Sequence, residues 1–282
     1  MKTTTAIVNI LLSILILTQP IKGLTLAQTA DRSSLKSQIE DNYIRLKSED
    51  FEERYKAVYF FSKLKKEEIP EEIFKAIIDL FKKEVDREKI KEEFFRRGGV
   101  AENLPKDIAY INSEEYGMYH GYLCNLVGKT GDKNLLPLLV EYCLRKEVLI
   151  NFGDLGVDSV INVLKTSNNP DRKVSAIRVL GEMLKPKETG YVASAETRNR
   201  IEEALIQTTK DSDRYIRSAA VSALGDSGNK SVIPILEDIA KNDPYHFERK
   251  DKTSEKVETI YPVRERAEEA LQKLKAKEFE KK

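Results

Sequence analysis

Two segments of the chain that lie 97 residues apart repeat one another almost position by position. Residues 127–139 read VGKTGDKNLLPLL and residues 224–236 read LGDSGNKSVIPIL, so that glycines, lysine, proline and apolar residues fall in step. An echo of this kind indicates an internally repeated architecture. Because each unit of such an array packs only on its neighbours, the array provides an extended surface rather than one reaction centre.

The residues before the repeated glycine predict a helix with one buried face. Residues 216–225 read IRSAAVSALG, in which apolar side chains recur at spacings of three and four. The same pattern returns at 263–271 and 172–181, and more loosely at 53–61 and 119–128. We expect the glycine that closes the pattern to take the left-handed conformation that ends many helices.

The first helices, apart from the one at 263–271, are followed by a second helix with its own apolar stripe. Second helices are predicted at residues 70–85, 134–145, 157–165, 195–209 and 231–241. A truncated unit is predicted at 147–166, where the turn from Gly153 to Gly156 copies the G-x-x-G turn of the longer units. Since neither face of such a hairpin is buried without stacking on its neighbours, the sequence predicts an all-α solenoid.

These motifs resemble a known family. The first-helix pattern V-R-x-x-A-x-x-A-L-G, the G-x-x-G turn and the apolar-Pro-apolar-Leu second helix are similar to HEAT repeats of the short bacterial type, called phycobilisome-lyase HEAT-like repeats. The resemblance is specific over residues 115–275 and weak over 35–85, where Phe60 and Phe61 replace small residues. It implies an armadillo-like, right-handed superhelix of helical hairpins whose second helices line the concave side and bind proteins.

The start of the chain carries a different signal. Lys2 supplies a positive charge, and residues 6–17 form an apolar stretch that is shorter than the about 20 residues of a membrane span. We predict a signal peptide over residues 1–27, cleaved after Gly23 or Ala27, and hence export to the periplasm or the exterior without stable membrane insertion. An uncleaved anchor or a buried helix is the alternative interpretation.

The remaining chain is predicted to have two parts. Residues 28–112 are expected to form divergent N-terminal helical repeats and a connector, and residues 113–282 the HEAT-like solenoid. The whole chain has 48 basic and 47 acidic residues, and loss of Lys2 and Lys22 with the leader leaves 46 against 47. This balance gives no general attraction to nucleic acid, so no nucleic-acid partner is expected.

The two cysteines are Cys124 and Cys143. An oxidising compartment permits a disulfide between them. In a regular antiparallel hairpin, however, they would be offset by roughly 7 Å along helices about 8–10 Å apart, beyond the roughly 7 Å Cα separation that a disulfide spans. We therefore favour two buried thiols.

Motifs for catalysis are missing from the sequence. His120 and His246 lie 126 residues apart, and neither belongs to an H-E-x-x-H helix or has a cysteine at zinc-finger spacing. The sequence contains no Walker A loop, nucleophile elbow or dinucleotide-binding fingerprint. We expect a protein that is not an enzyme and has no catalytic residue, metal site or cofactor.

Two other sequence features are candidates for a role in binding. Lys173, Arg217 and Arg264, with Arg54 further off, share a register near the first-helix starts. They form either an exposed basic ladder or, as we favour, pairs with acids of the adjacent unit. The second feature is the long insertion at residues 242–261, because insertions in solenoids often lie on a binding edge.

This insertion supplies the candidate partner-binding residues Tyr245, His246, Phe247 and Arg249. Packing of the aromatic side chains on the last helix is the alternative. The shorter insertion at 186–197, with Tyr191, and the stretch at 98–116 are similar but carry less signal. A further tyrosine series at spacings of three is predicted to fill the core: Tyr116, Tyr119 and Tyr122.

Together these features predict an exported, non-catalytic scaffold that binds a protein or peptide on its second-helix side, with loops modulating the contact. A lyase or enzyme subunit resembling the HEAT-like bilin lyases is one alternative. A structural envelope protein that spaces other components is another.

Overall fold

The computed structural model describes residues 26–185, 192–250 and 257–276. The predicted signal peptide lies outside the described residues apart from Leu26 and Ala27, and so does Tyr191. The helices and strands are as follows: α1 Leu26–Leu46, α2 Phe51–Lys63, α3 Glu71–Arg96, α4 Glu114–Thr130, α5 Leu136–Tyr142, α6 Lys146–Leu149, α7 Asp154–Thr166, α8 Pro170–Met183, α9 Ala195–Thr208, α10 Arg214–Asp226, α11 Ile233–Asn242, β1 Phe247–Lys250, β2 Val257–Ile260 and α12 Pro262–Ala276.

The chain divides into two compact units, Met1–Phe61 and Ser62–Lys282, with the boundary inside α2. In the first unit, the buried guanidinium of Arg54 donates hydrogen bonds from Nη1 to the main-chain carbonyls of Ser48 and Glu49 at 3.1 and 2.7 Å. These bonds tie the start of α2 to the turn that follows α1. Arg54 thus stabilises a turn within its own unit.

The second unit is a stack of helices in two layers. The first helices α4, α6, α8, α10 and α12 pack side by side in chain order, and the second helices α5, α7 and α9 pack in a parallel layer. The layers are joined where α7 packs on α8, α9 on α10 and α11 on α12. Their alternating apolar faces are fully buried, as at Leu180, Leu224 and Leu236. This arrangement confirms the predicted all-α solenoid, with one short β-hairpin inserted near its C-terminal end.

Helix α3 is longer than the sequence predicted. The expected helix ended at Val85, whereas α3 continues to Arg96 and the turn comes at Gly98, whose φ is 85°. Residues 86–96 are mostly charged residues with good helix propensity, and the next glycines in the chain, Gly98 and Gly99, come after them. The helix therefore extends past its apolar stripe until a residue that accepts a left-handed backbone ends it.

The glycines that close the first-helix pattern lie inside the helices, so their predicted left-handed conformation is wrong. A Cβ on Gly225 would lie 2.6 Å from the Cβ of Ala270 in α12, and one on Gly181 would lie 2.9 Å from the Cβ of Ala223 in α10. The absence of a side chain lets neighbouring first helices approach closely. Left-handed backbone occurs instead at Gly131 and Gly228, the second glycines of the turns, with φ of 68° and 73°.

The truncated unit forms as a single helical turn, α6, followed by a 3₁₀ turn at Ile150–Phe152 and then α7. Its glycines differ from those of the longer units. Gly153 has the positive φ, 55°, whereas a Cβ on Gly156 would lie 2.2 Å from the carbonyl oxygen of Leu149. The predicted copy of the G-x-x-G turn is therefore wrong in detail, because the shortened first helix brings Leu149 against α7.

Substitution of Gly225 by alanine tests the close approach of first helices. The new methyl group would overlap Ala270, so we expect a loss of about 1–3 kcal/mol in unfolding free energy. Gly117 is a matched control, because it is exposed in α4 and a Cβ added there would have no atom within 4 Å. Gly117→Ala should add about 0.5–1 kcal/mol through helix propensity. Urea denaturation measures both, and shifts of the same sign would contradict the proposed packing.

In the three described ranges, no helix is both long enough and apolar enough to cross a membrane.

Candidate functional site

The insertion at residues 242–261 forms an antiparallel β-hairpin between α11 and α12. Phe247 pairs with Ile260 and Arg249 with Glu258. No strand was predicted in this insertion, which we expected to be a loop. Each strand has only four residues, and Ile260 is their one buried side chain, so the alternation that marks a strand in sequence is too short to recognise.

Asp243 fixes the point at which the chain leaves α11 for the hairpin. Its carboxylate accepts a hydrogen bond from the backbone N–H of Tyr245 at 3.0 Å, a turn geometry that aspartate favours. The same carboxylate accepts two hydrogen bonds from Arg217 of α10, at 2.7 Å from Nε and 3.1 Å from Nη2. The segment that carries Tyr245 is therefore held against α10.

Tyr245 and Phe247 lie close together at the base of the hairpin, with ring centroids 6.5 Å apart. Arg214, in the first turn of α10, lies over the ring of Tyr245 at 4.2 Å and also donates a hydrogen bond to its hydroxyl oxygen. Arg214 also lies over the ring of Tyr215, 4.5 Å from its centroid. We call these four residues the aromatic-arginine patch.

The patch is accessible to solvent. Tyr215 is 64% exposed and Phe247 is 42% exposed. Asp213 caps the start of α10, and its carboxylate accepts a hydrogen bond from the N–H of Tyr215 at 2.7 Å. This cap positions Arg214 and Tyr215 in the first turn of the helix. Neither residue was predicted as a binding residue, although Tyr215 is an aromatic side chain next to Ile216 of the apolar stripe.

The other two candidate residues lie on the hairpin but outside the patch. His246 contacts Tyr261, at 5.4 Å between ring centroids, near the start of α12. Arg249 forms an exposed ion pair with Glu258 across the strands, at 3.0 Å between Nη2 and Oε2. The structure thus brings Tyr245 and Phe247 together and separates His246 and Arg249 from them.

Lys173 and Arg217 pair with an acid of the following unit, as favoured, whereas Arg264 donates to a main-chain carbonyl of the preceding segment and Arg54 to carbonyls of its own unit. Lys173 Nζ lies 2.8 Å from Asp211 Oδ2, and Arg217 binds Asp243 through both nitrogens described above. Arg217 Nη1 also donates to the carbonyl of Asp211 at 3.0 Å, and Arg264 Nε donates to that of Asp243 at 2.7 Å. We call this chain of contacts the inter-repeat ladder.

The acids of the ladder are strongly held in their charged form. Burial alone raises the pKa of the Asp243 carboxyl, but hydrogen bonds from Arg217 and from the Tyr245 N–H outweigh it and hold the pKa below its usual value. Burial also opposes ionisation of Asp211, and the hydrogen bond from Lys173 lowers its pKa below the usual range. The ladder is therefore a set of structural ion pairs.

A groove lies between α7 and α9 in the second-helix layer. Its volume is ≈ 580 Å³. Apolar side chains of α7 form part of its wall, and the Arg200 guanidinium lies across it, with Nη1 2.6 Å from Asp158 Oδ1. Lining residues with long polar side chains include Lys165, Glu203 and Gln207. A groove with mixed charges and apolar walls can receive an extended peptide.

Cys124 and Cys143 form a disulfide, so the expectation of two free thiols is wrong. Their Cα atoms lie 5.7 Å apart. The expectation assumed a regular helix through Cys143, but α5 ends at Tyr142 and Cys143 adopts a non-helical backbone, with φ of −132° and ψ of 44°. Because α5 ends three residues before its predicted end at residue 145, Cys143 turns towards α4. His120, four residues before Cys124, lies beside the pair, with its ring nitrogens 3.6 and 3.7 Å from Cys124 Sγ.

The predicted core tyrosines Tyr116 and Tyr119 are buried, whereas Tyr122 is partly exposed. The Tyr119 hydroxyl donates to Oε1 of the fully buried Glu84 at 3.2 Å. Burial raises the pKa of Tyr116, and the charges of Glu88 and Glu84 raise it further.

Burial also shifts the pKa of His120. Burial lowers the pKa of the imidazole, and the positive charges of Arg145 and Lys91 act in the same direction against Glu88. His120 is therefore neutral at pH 7.

Comparison with known proteins gives a family match over part of the chain. Residues 157–252 match the family model of HEAT repeats. No curated protein matches the chain significantly. Among solved structures, the crystal structure of an engineered protein from the Northeast Structural Genomics Consortium is 16% identical and covers 85% of this chain and 97% of its own, with a TM-score of 0.38. The HEAT-repeat match over residues 157–252 begins in α7 and ends just past β1. It contains Gly181, Gly225 and the Arg217–Asp243 pair, so over these residues the chain is similar to HEAT repeats.

Proposed function

We propose that this chain is a non-catalytic scaffold that binds a protein or peptide partner, with the aromatic-arginine patch as the central contact. The observation that carries the proposal is an arginine that contacts two tyrosine rings beside an exposed phenylalanine. Tyrosine and arginine are enriched among the residues that dominate binding energy.

The geometry of the patch supports this role. Because Arg214 already stacks on Tyr215 and Tyr245, it loses little side-chain freedom when a partner binds. The Asp243 turn holds Tyr245 in place before any partner arrives. The groove between α7 and α9 offers a second surface for an extended segment of the partner. We further propose that the repeats are of the short bacterial type and that these two surfaces act together.

Site-specific photo-cross-linking tests the patch. A photoreactive phenylalanine analogue at position 215 or 247 should form adducts with the same partner, because both side chains are exposed in one patch. The matched control is position 59, an exposed tyrosine of the first unit. Loss of the adduct from position 247 in a Tyr215→Ala, Tyr245→Ala chain, with unchanged helical circular dichroism, would agree with the proposal. Equal adducts from positions 59 and 247, or an unaffected adduct in the double variant, would refute it.

We also propose that the protein is exported. The leader pattern supports this, and so does the disulfide, since disulfides persist in oxidising compartments. Intact-mass measurement of the protein from the periplasm or medium should give a mature chain that starts between Leu24 and Gln28. Recovery of a chain that retains Met1 in the membrane fraction would contradict export.

A further inference from the structure

The cysteine pair and His120 form a cluster that the repeat architecture does not explain. The ligand atoms of His120, Cys124 and Cys143 all lie within 4.8 Å of one another. His120 and Cys124 are four residues apart in α4 and therefore share one face of the helix. Cys143 reaches the same point from the end of α5. We propose that, once the disulfide is reduced, these three side chains bind one Cu(I) ion.

The distances suit a metal with three ligands. Bonds of about 2.0 Å to nitrogen and about 2.3 Å to sulfur place the two ligand atoms about 3.7 Å apart at an angle of 120°. The ring nitrogens of His120 already lie 3.6 and 3.7 Å from Cys124 Sγ. The helix therefore holds the imidazole within reach of Cys124, and rotation of the imidazole and of the Cys143 side chain after reduction directs the three ligand atoms to one ion.

The donor set and its burial favour Cu(I) over zinc. Thiolate and imidazole ligands suit both ions. Zinc in structural sites is almost always four-coordinate, whereas three donors satisfy Cu(I). Cys124 and Cys143 are 0% and 1% exposed, so a water molecule has little access as a fourth ligand.

Charge and access are also compatible with a bound ion. Two thiolates and one Cu(I) carry a net charge of −1, and the Arg145 guanidinium lies nearby, with Nη1 2.9 Å from where a Cβ on Gly121 would stand. Tyr142 and Leu144, on either side of Cys143, line an open cavity of ≈ 420 Å³. Neither cysteine lines this cavity, so the segment that carries Cys143 must open locally before a reductant and a metal ion reach the sulfur atoms.

The chemistry balances with a dithiol as the reductant. The dithiol supplies two electrons and two protons, breaks the Cys124–Cys143 bond and becomes a disulfide itself. Cu(I) then displaces one proton from each thiol and forms two copper–sulfur bonds, while a lone pair of His120 forms the third bond. Copper keeps its oxidation state throughout.

An anaerobic titration of the full chain tests the proposal. The protein is reduced with a dithiol, and the excess dithiol is then removed. The reduced protein competes with the chromogenic chelator bicinchoninate for Cu(I). We expect the reduced chain to bind one Cu(I), at least about 100-fold more tightly than the disulfide form of the same chain. X-ray absorption should show two sulfur neighbours and one nitrogen neighbour.

Histidine variants give a matched comparison. His120→Ala should weaken binding by at least about tenfold, whereas His246→Ala, in the exposed hairpin, should leave it unchanged. Circular dichroism checks that the variants stay folded, and the comparison of reduced and oxidised parent chains needs no variant. Equal Cu(I) binding by the two redox forms, full retention in a folded His120→Ala chain, or tighter binding of Zn²⁺ than of Cu(I) would overturn the proposal.

Discussion

Replacement of Ala220 by aspartate is expected to unfold the C-terminal repeats. Ala220 is 0% exposed in α10, which packs between α8 and α12. A carboxylate at this position would lose its hydration and find no partner on the apolar stripe, which costs several kcal/mol. Chemical denaturation followed by helical circular dichroism measures the loss.

Glu237→Ala is the control for this experiment. Glu237 is exposed in α11, where surface substitutions change stability by no more than about 0.5 kcal/mol. Similar denaturation midpoints for the two variants would show that Ala220 is not in the packed interface.

Replacement of Asp243 by alanine is expected to cost about 3–5 kcal/mol, because it leaves the buried charge of the Arg217 guanidinium without its carboxylate partner. The two side chains are 11% and 5% exposed, so water replaces little of the lost interaction. Glu258→Ala removes the acid of the exposed Arg249 pair and should cost no more than about 1 kcal/mol. Equal losses for the two variants would contradict a structural role of the ladder.

The same pair predicts a pH dependence. The pKa of Asp243 is lower in the folded chain than its ordinary value, so its contribution to stability is fully present above about pH 4 and is lost as pH falls through the folded pKa. The stability difference between the parent and Asp243→Asn should be constant from pH 7 to pH 5 and shrink below pH 4. A difference that grows on acidification would contradict the assignment. Urea denaturation at each pH gives the values.

The helices were predictable because their signal is local. The apolar stripe of α10 and the proline near the start of α11 are visible within a dozen residues, and both helices lie within three residues of their predicted bounds. The favoured pairing of Arg217 also rested on a register that recurs in the sequence.

The remaining features depend on contacts between distant residues. Nothing local distinguishes Gly225 as a packing residue, since its role is set by Ala270 in another helix. The disulfide depends on where α5 ends, a boundary that helix patterns do not fix to one residue. Tyr215 becomes part of a surface only because Tyr245, from a later hairpin, meets Arg214. A sequence pattern predicts which residues of one helix or strand are buried, but it does not predict which side chains of other elements they contact.

Asp243 belongs to two structures at once, since it clamps Arg217 and also sets the turn that delivers Tyr245. Opening of the ladder at this residue would release the turn and disperse the patch. By thermodynamic linkage, any ligand that requires Tyr245 in place stabilises the last repeats by RT ln(1 + [L]/Kd), about 2.7 kcal/mol at a hundredfold excess over Kd. Binding of a ligand to the aromatic-arginine patch is therefore expected to increase the resistance of the terminal helices to local unfolding.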